Sequence, residues 1–375
     1  MIDTRPVQDL LDAAVRDGVF PGAVVHVRQR GAVVVDCVAG RLTADTTAPS
    51  VTADTLYDLA SLTKPLATTW LVFRAVSQGR LDLYATLDGI FPELNQSAVG
   101  RVTIRQLLCH AAGLPGWRPY YERLVSCGIH ADYEAARKKA AAQVLAWIAV
   151  EPLASAPGTE SVYSDLGFML LGWIVERIEG KLLVAVWRDA MGAANIPGAI
   201  DFLARPESVT DRFGVSVQVA PTEQDPFRGR LLCGNVHDEN AWALGGVAGH
   251  AGLFGTAAAV GAMGQWWLDG RLNDDTGSAS NLFRLFTSRV TDVPGSSRAL
   301  GWDTPSAPSS SGRFFSAESF GHLGFTGTSL WIDPWRELVV ALVSNRVHPT
   351  RQNERIKTFR PRMHDEVIRC CDSAG

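Results

Sequence analysis

The chain has 375 residues, of which 46% are hydrophobic and 20% charged, and its formal net charge at pH 7 is −4. This composition is typical of a folded globular protein with one large domain or two ordinary ones, and it excludes an intrinsically disordered chain. The weakly acidic balance, without a Lys/Arg-rich tract, gives no electrostatic reason to expect nucleic acid as a partner. No apolar run approaches the ~20 residues that are needed to span a bilayer.

The N-terminal segment has the pattern of an amphipathic surface helix, because apolar residues recur at helical spacing over residues 7–15. Acidic residues begin at Asp3, and the segment lacks the basic-then-apolar pattern of an export signal. The six cysteines are scattered, with no pair at metal-ligand spacing, which predicts reduced structural thiols. These features predict a cytoplasmic protein that binds no membrane.

Strand-forming segments cluster at the two ends of the chain, and helix-forming segments fill the middle. In chain order, strands are predicted at residues 23–28, 32–38, 313–315, 329–332 and 338–343. Helices are predicted between residues 61 and 180, and the clearest of them are at residues 103–110, 135–149 and 166–178. A closing helix is predicted at residues 352–369. A single antiparallel sheet made from both termini, with a helical insertion, explains this distribution better than two consecutive domains.

The segment Ser61-Leu62-Thr63-Lys64 stands where an apolar helical pattern begins. Residues three apart share a helix face, so the Lys64 amine can reach the Ser61 hydroxyl at the positive end of the helix dipole. Lys64 can activate this hydroxyl only where burial or nearby positive charge disfavours its own charged form. The alternative interpretation is an N-capping serine followed by a surface lysine.

The triplet Tyr163-Ser164-Asp165 lies between a Pro-Gly turn and a helical run. The Tyr163 phenol could relay a proton, and Asp165 could orient Lys64 or a substrate amide. The alternative is structural, with Asp165 as the N-cap of the following helix and Tyr163 as a packed aromatic ring.

The segment His322-Leu323-Gly324-Phe325 is a glycine-containing entrance to an edge strand, where a backbone can approach a ligand closely. The Phe325 amide could pair with the Ser61 amide as an oxyanion hole. His322 would supply a donor or a tunable charge at the edge of the site. A glycine-rich hairpin with an incidental histidine is the alternative.

The ordered trio S-x-x-K, Y-x-(N/D), (K/H)-x-G resembles the serine β-lactamase and penicillin-binding-protein family, which includes class C β-lactamases, DD-peptidases, esterases and transacylases. Residues 107–115 and 245–256 are similar to flanking segments of that family, and residues 236–240 to its penicillin-binding-protein-4B-like members. The resemblance spans about residues 5–350.

The resemblance implies a β-lactamase/DD-peptidase-like fold of the α/β (α+β) class in a single domain, residues 1–375. Residues 1–60 and about 290–375 would form an antiparallel sheet flanked by helices, and about 61–290 an all-helical subregion with loops. By position, Ser61 would be acylated, Lys64 would activate it, and Tyr163 would shuttle the proton to the leaving group. No cofactor or metal is implied.

By the same resemblance, Gly324 would let substrate lie along the strand, and Phe325 would supply an oxyanion donor. Two positions depart from the family pattern: Asp165 stands where asparagine is usual, and His322 stands where lysine is usual. A lysine at the position of His322 commonly holds a substrate carboxylate, whereas histidine is only partly charged near neutral pH. Both departures weaken the case for an efficient β-lactamase. They favour an esterase, amidase or peptidase.

The sequence therefore predicts a serine hydrolase that acts through an acyl-enzyme on an ester, amide or peptide carbonyl of a small or peptide-like substrate. An acyltransferase of the same fold is one alternative. The other is a non-enzymatic protein that binds a β-lactam or peptidoglycan fragment without turnover. The sequence gives no oligomeric state.

Three further groups have a structural and a functional interpretation. The run His237-Asp238-Glu239 could suggest a metal site, but adjacent ligands cannot all converge without unusual backbone geometry. His110 and His250 stand among small apolar residues and are interpreted as structural. Trp117 lies on a loop that often rims the cleft in the family, so either a substrate contact or a packing role is open.

Overall fold

The computed structural model describes residues 2–129, 131, 134–204, 208–214, 217–273 and 278–373. Its helices are α1 (Arg5–Arg16), α2 (Trp70–Ser77), α3 (Leu87–Ile90), α4 (Ile104–Leu108), α5 (Tyr120–Ser126), α6 (Glu134–Ala149), α7 (Asp165–Glu179), α8 (Leu183–Ala194), α9 (Val209–Phe213), α10 (Glu239–Ala243), α11 (Ala257–Leu272), α12 (Ser278–Thr287) and α13 (Ile356–Asp372). Its strands are β1 (Gly22–Gln29), β2 (Ala32–Gly40), β3 (Tyr57–Asp58), β4 (Ile200–Phe202), β5 (Gln224–Asp225), β6 (Arg230–Leu231), β7 (Leu253–Gly255), β8 (Phe320–Leu323), β9 (Ser329–Asp333) and β10 (Leu338–Ser344).

The main sheet has five antiparallel strands in the order β2-β1-β10-β9-β8. The β1–β2 hairpin pairs Val25 with Cys37, and β1 continues the ladder by pairing Val25 with Leu342 of β10. Strands from the two ends of the chain are thus direct neighbours at the centre of the sheet. The predicted antiparallel sheet made from both termini is confirmed.

Helices cover both faces of this sheet. On one face, α1 and α13 contribute a cluster of apolar side chains that includes Val7, Leu11, Phe359 and Met363. On the other face α11 packs so closely that a Cβ on Gly264 would stand 2.6 Å from a methyl carbon of Val339. The predicted N-terminal amphipathic helix and the closing helix are confirmed.

The middle of the chain is mainly helical, and the predicted helices at residues 103–110, 135–149 and 166–178 correspond to α4, α6 and α7. It is not all-helical, because β4 and β7 form a small sheet with β3, which lies just before this region, and β5 and β6 form a second sheet. Strands of two or three residues are too short to show a period in the sequence. The prediction of an all-helical subregion is wrong at these segments.

The strand predicted at residues 313–315 is also wrong, since the edge strand of the sheet is β8. Two carboxylates hold the segment before β8 in an irregular conformation. The Arg313 amide donates to Asp365 Oδ1 at 2.6 Å, and the Ser316 amide donates to Asp333 Oδ2 at 3.0 Å. These backbone amides thus donate to side-chain carboxylates and not to the carbonyl groups of a neighbouring strand.

All six cysteines are unpaired. Among the described residues, no helix combines the length and apolarity that crossing a bilayer requires. In the same part of the chain, no three His, Cys, Asp or Glu side chains are grouped so as to hold a metal ion.

Candidate active site

Ser61 lies in an irregular helical segment that begins where the sequence predicts a helix. A 3₁₀ turn spans Ala60–Leu62, a π-helical turn spans Lys64–Thr69, and α2 follows. Ala60 has φ +47°, in the left-handed region that costs a residue with a Cβ about 1–3 kcal/mol. The buried Asp58 carboxylate stabilises this backbone, since it accepts a hydrogen bond from the Ala60 amide at 2.8 Å.

Two threonine hydroxyls fasten this segment to the turn between β8 and β9. Thr326 Oγ1 donates to the Asp58 carbonyl at 2.7 Å, and Thr328 Oγ1 donates to the Leu59 carbonyl at 3.1 Å. A Cβ on Gly324 would stand 2.0 Å from Thr328 Oγ1 and 2.6 Å from the Leu59 carbonyl oxygen. Glycine at this position therefore lets the edge strand and the Ser61 segment approach each other.

The Lys64 side chain is fully buried, and its ammonium group meets three acceptors. Nζ lies 2.9 Å from Ser61 Oγ, 2.7 Å from Asp165 Oδ1 and 3.2 Å from the carbonyl oxygen of His250. The structure thus brings together the lysine, the serine and the aspartate that the motif spacing singles out.

The charge state of Lys64 is set by two opposing effects. Burial alone would lower the pKa of the Lys64 amine, but the Asp165 carboxylate and the Tyr163 phenol outweigh burial and hold that pKa above its ordinary value. Lys64 is therefore an ammonium group that donates to Ser61 Oγ in the resting site.

Tyr163 stands beside Lys64, between a histidine and an arginine. The Lys64 Nζ atom lies 4.8 Å from the centroid of the phenol ring, and the Arg298 guanidinium carbon lies 5.3 Å from it. The His110 ring is tilted against Tyr163 at a centroid distance of 4.6 Å. Burial raises the pKa of Tyr163 above its ordinary value, against the lowering effect of the Lys64 charge, so the phenol keeps its proton.

Ser164, and not Asp165, caps the helix that follows Tyr163. Ser164 Oγ accepts a hydrogen bond from the Gly167 amide at 3.3 Å, and Asp165 is the first residue of α7. The interpretation of Asp165 as an N-cap is therefore wrong. Its carboxylate is directed to Lys64, at a helix N-terminus that favours negative charge.

His322 is buried on β8, with its ring centroid 5.9 Å from that of Tyr163. Nδ1 lies 2.7 Å from the Leu323 carbonyl oxygen, which accepts only from a protonated Nδ1. Burial, followed by the Lys64 and Arg298 charges, holds the pKa of His322 well below its ordinary value. His322 is therefore a neutral ring, and it does not supply the charge of the lysine that the family usually has there.

One cleft of about 330 Å³ is lined by five of the seven predicted site residues: Ser61, Tyr163, His322, Gly324 and Phe325. The Phe325 ring is 50% exposed and lies between the His237 ring, stacked at 5.7 Å, and the Arg346 guanidinium at 4.4 Å. The two backbone segments whose amides are predicted to form an oxyanion hole therefore border the same cleft.

Positive charge exceeds negative charge on the cleft wall. Its charged residues are Arg298, Arg346, Lys357 and Arg360 against Asp303 and Glu354. Arg298 pairs with Asp303 at 3.5 Å and Lys357 with Glu354 at 2.6 Å. In the part of the chain that the structure describes, no carboxylate lies within ion-pair distance of Arg346 or Arg360.

Arg360 is the least compensated of these cations. Its guanidinium is buried, donates to the Gly324 carbonyl at 2.7 Å, and leaves Nε without a hydrogen-bond partner among the described residues. Sequence reasoning missed Arg298, Arg346 and Arg360, because no local motif marks them. They come from the loop after α12, the end of β10 and the first turns of α13, which only the folded chain brings together.

The run His237-Asp238-Glu239 sends its side chains to separate partners. His237 Nε2 lies 2.8 Å from Glu223, and Asp238 Oδ1 lies 2.8 Å from His250 Nε2. His110 Nδ1 accepts a hydrogen bond from the Ser164 amide at 3.0 Å. Both structurally interpreted histidines thus have partners within the fold, and His250 also presents its carbonyl to Lys64.

A family model described as Beta-lactamase matches residues 7–360. The chain belongs to the β-lactamase family, as the motif order predicts. N-acetylmuramyl-L-alanine amidase of Bacillus subtilis (strain 168) is 29% identical over 370 residues, which cover 92% of this chain and 81% of that protein. A protein of Escherichia coli (strain K12), provisionally assigned as a D-alanyl-D-alanine carboxypeptidase, is 30% identical over 315 residues. These residues cover 78% of this chain and 70% of that protein.

Solved structures confirm the predicted β-lactamase/DD-peptidase-like fold. A penicillin-binding protein homolog from Caulobacter crescentus superposes with a TM-score of 0.71 and 21% sequence identity, covering 98% of this chain and 97% of that one. The chain is thus a member of a serine hydrolase family in both sequence and fold.

Proposed function

We propose that this protein hydrolyses an amide bond through an acyl-enzyme on Ser61. The observation that carries this proposal is the 2.9 Å hydrogen bond from the buried Lys64 ammonium to Ser61 Oγ, with Asp165 2.7 Å from the same ammonium. A cation at this place stabilises negative charge on Oγ as it attacks a carbonyl.

In the first step, Ser61 Oγ forms a bond to the carbonyl carbon and its proton passes to the Tyr163 oxygen. The neutral phenol acts as a relay, since it gives its own proton to the leaving nitrogen while it accepts the one from Ser61. The amide nitrogen leaves as an amine and the C–N bond breaks. The Ser61 and Phe325 amides would hold the carbonyl oxygen while it is negatively charged.

In the second step, water attacks the ester on Ser61 and passes its proton through Tyr163 back to the Ser61 oxygen. The products are a carboxylic acid and the free serine. Lys64 stays charged throughout, and its protons are coupled to those of Tyr163 so that the pair acts as one unit.

The substrate class follows from the charges of the cleft and from the relatives. Arg346 and Arg360 have no carboxylate within ion-pair distance among the described residues, so the cleft wall carries an excess of positive charge that fits an acidic peptide. The amidase relative is named for N-acetylmuramyl-L-alanine. We infer that the scissile amide joins an N-acetylmuramyl group to a peptide, and that β-lactams are poor substrates because His322 is neutral.

The test combines covalent labelling with turnover. Intact mass is measured after incubation with a fluorophosphonate probe, and hydrolysis is followed for N-acetylmuramyl-L-alanyl-D-isoglutamine, p-nitrophenyl acetate and nitrocefin. Wild-type protein is expected to form a single adduct and to cleave the amide faster than nitrocefin, while Ser61→Ala does neither. Absence of an adduct and of amide cleavage in wild-type protein would refute the proposal.

The same assays separate the two alternatives. An acyltransferase would divert the acyl group to an added amine or alcohol in place of water. A non-turnover binding protein would keep the acyl group on Ser61, so the adduct would accumulate without release of acid.

A further inference from the structure

Four aromatic side chains form a continuous surface, called here the aromatic row: Trp117, Tyr121, Phe227 and Trp242. Successive ring centroids along it lie 6.4, 4.8 and 5.9 Å apart. Trp117 is 44% exposed and Phe227 is 42% exposed. Single exposed aromatic residues are ordinary on protein surfaces, but a contiguous group of them is typical of a binding surface.

A buried asparagine holds the aromatic row in place. Asn240 accepts a hydrogen bond from the Tyr121 amide and donates one to the Arg118 carbonyl, each at 2.9 Å. These bonds join α10, which carries Trp242, to the segment that carries the first two rings. The surface is therefore pre-formed, and rigid rings lose little conformational entropy when a ligand packs on them.

One end of the aromatic row adjoins the candidate catalytic segment. The Gly116 carbonyl accepts a hydrogen bond from the Asp165 amide at 2.8 Å. A Cβ on Gly116 would stand only 2.9 Å from the Tyr163 carbonyl oxygen. Trp117 thus directly follows a residue that is packed against Tyr163 and Asp165.

The other end is connected to Lys64 through α10. Asp238 caps this helix by accepting from the Ala241 amide at 2.7 Å, and it also lies 2.8 Å from His250 Nε2. The His250 carbonyl in turn accepts from Lys64 Nζ. The aromatic row is therefore fixed relative to the catalytic lysine at both of its ends.

The aromatic row and the cleft differ in chemistry. The cleft wall carries the guanidinium groups of Arg346 and Arg360, which have no carboxylate within ion-pair distance in the described part of the chain. Along the row, the Arg228 guanidinium is centred 5.6 Å from the Trp242 ring, at the end away from Trp117. A substrate with an acidic peptide on one side of its amide and an uncharged ring on the other would match both surfaces.

We propose that the aromatic row binds the pyranose ring of the acyl donor. This inference rests on the proposed function, which places a sugar-bearing acyl group on Ser61. A pyranose presents a flat face of C–H groups that packs against an aromatic ring. Its hydroxyl groups can donate to the Tyr121 hydroxyl oxygen, whose own proton is donated to Glu122 Oε1 at 3.0 Å. The row then selects the sugar half of the substrate while the cationic cleft selects the peptide half.

The test uses two ligands that differ only in the sugar. Calorimetry on the Ser61→Ala protein compares N-acetylmuramyl-L-alanyl-D-isoglutamine with N-(D-lactoyl)-L-alanyl-D-isoglutamine, which keeps the lactyl group of the muramyl amide. The sugar is expected to tighten binding about tenfold, and Trp117→Ala or Phe227→Ala to remove most of that advantage. Trp335→Ala is the matched control, because Trp335 is 74% exposed on the turn between β9 and β10.

The outcomes separate this inference from the proposed function. Equal affinity for the two ligands, or a sugar advantage that survives both substitutions in the aromatic row, overturns the inference even if the amide is cleaved. A sugar advantage that depends on Trp117 and Phe227, in a protein whose wild type does not cleave the amide, supports the aromatic row and refutes the amidase.

Discussion

The Lys64 ammonium and the Asp165 carboxylate are 2.7 Å apart, with the lysine fully buried beneath the serine that it contacts. The family usually has a neutral amide at the position of Asp165. The Asp165 carboxylate raises the pKa of Lys64 against the effect of burial, and burial raises the pKa of Tyr163. The proposed mechanism therefore assigns the relay of the Ser61 proton to the neutral Tyr163 phenol.

The first prediction concerns the charge at position 165. Asp165→Asn removes the carboxylate while burial of Lys64 remains, so the pKa of Lys64 is expected to fall. If the charged lysine assists Ser61, the rate of labelling by a fluorophosphonate probe decreases as pH rises through that pKa. The decrease is expected at lower pH in the variant than in wild-type protein.

The control for this experiment is Ser61→Ala, which gives the background labelling rate at each pH. A labelling rate that increases with pH, with the increase moved to lower pH in Asp165→Asn, would contradict the relay by Tyr163. It would indicate that a deprotonated group, either the neutral Lys64 amine or the Tyr163 phenolate, accepts the proton of Ser61, because the Asp165 carboxylate raises the pKa of both groups.

The second prediction concerns the ring of His322. Burial and the neighbouring Lys64 and Arg298 charges keep its pKa well below the ordinary value, so the ring stays neutral between about pH 6 and 8. Its proton is expected on Nδ1, which faces the Leu323 carbonyl. Nitrogen NMR of the labelled ring, assigned with His322→Gln, measures both properties. A ring that titrates near its ordinary pKa would refute the proposed reason for poor turnover of β-lactams.

The third prediction concerns Arg360, whose buried guanidinium has no carboxylate within ion-pair distance in the described part of the chain. Arg360→Gln is expected to lower kcat/KM for N-acetylmuramyl-L-alanyl-D-isoglutamine by about tenfold more than kcat/KM for p-nitrophenyl acetate, which carries no anionic group. Lys357→Gln is the matched control, because Lys357 is paired with Glu354. Equal losses for both substrates would show that Arg360 has only a structural role at Gly324.

Contacts between site residues that are close in the sequence were predictable from it. Contacts between site residues that are far apart in the sequence were not. The spacing of Ser61 and Lys64 determines their contact, because residues three apart meet on one face of a helical segment. Arg360 reaches the same cleft from α13, and its position depends on the packing of a sheet built from both ends of the chain. No periodicity near residue 360 contains that information.

The errors in the fold prediction have a similar origin. The residues before β8 are strand-formers, but the Asp365 and Asp333 carboxylates take the amides of Arg313 and Ser316. Likewise, the sequence is compatible with Asp165 as an N-cap, but in the structure Ser164 Oγ accepts the hydrogen bond from the Gly167 amide. In both cases several side chains could accept a hydrogen bond from the backbone, and the folded structure determines which of them does so.

The fourth prediction concerns the effect of His364 on the pH dependence of the free energy of unfolding. The His364 side chain is fully buried between Ser329 and Ser310. Burial lowers the pKa of His364 from 6.5 to about 4 in the folded protein. Between these values the unfolded chain binds a proton that the folded chain does not, so the free energy of unfolding falls as pH decreases through this window. The loss between about pH 7.5 and 5 is expected to be about 2 kcal/mol.

The matched variant is His364→Gln, which keeps a donor and an acceptor for the two serines but does not titrate. Urea unfolding at both pH values should therefore show a pH-dependent loss that is about 2 kcal/mol smaller in the variant than in wild-type protein. Labelling of Ser61 at pH 7.5 serves as a check that the variant is folded. An identical pH-dependent loss in the two proteins would show that His364 is protonated as readily in the folded chain as in the unfolded one.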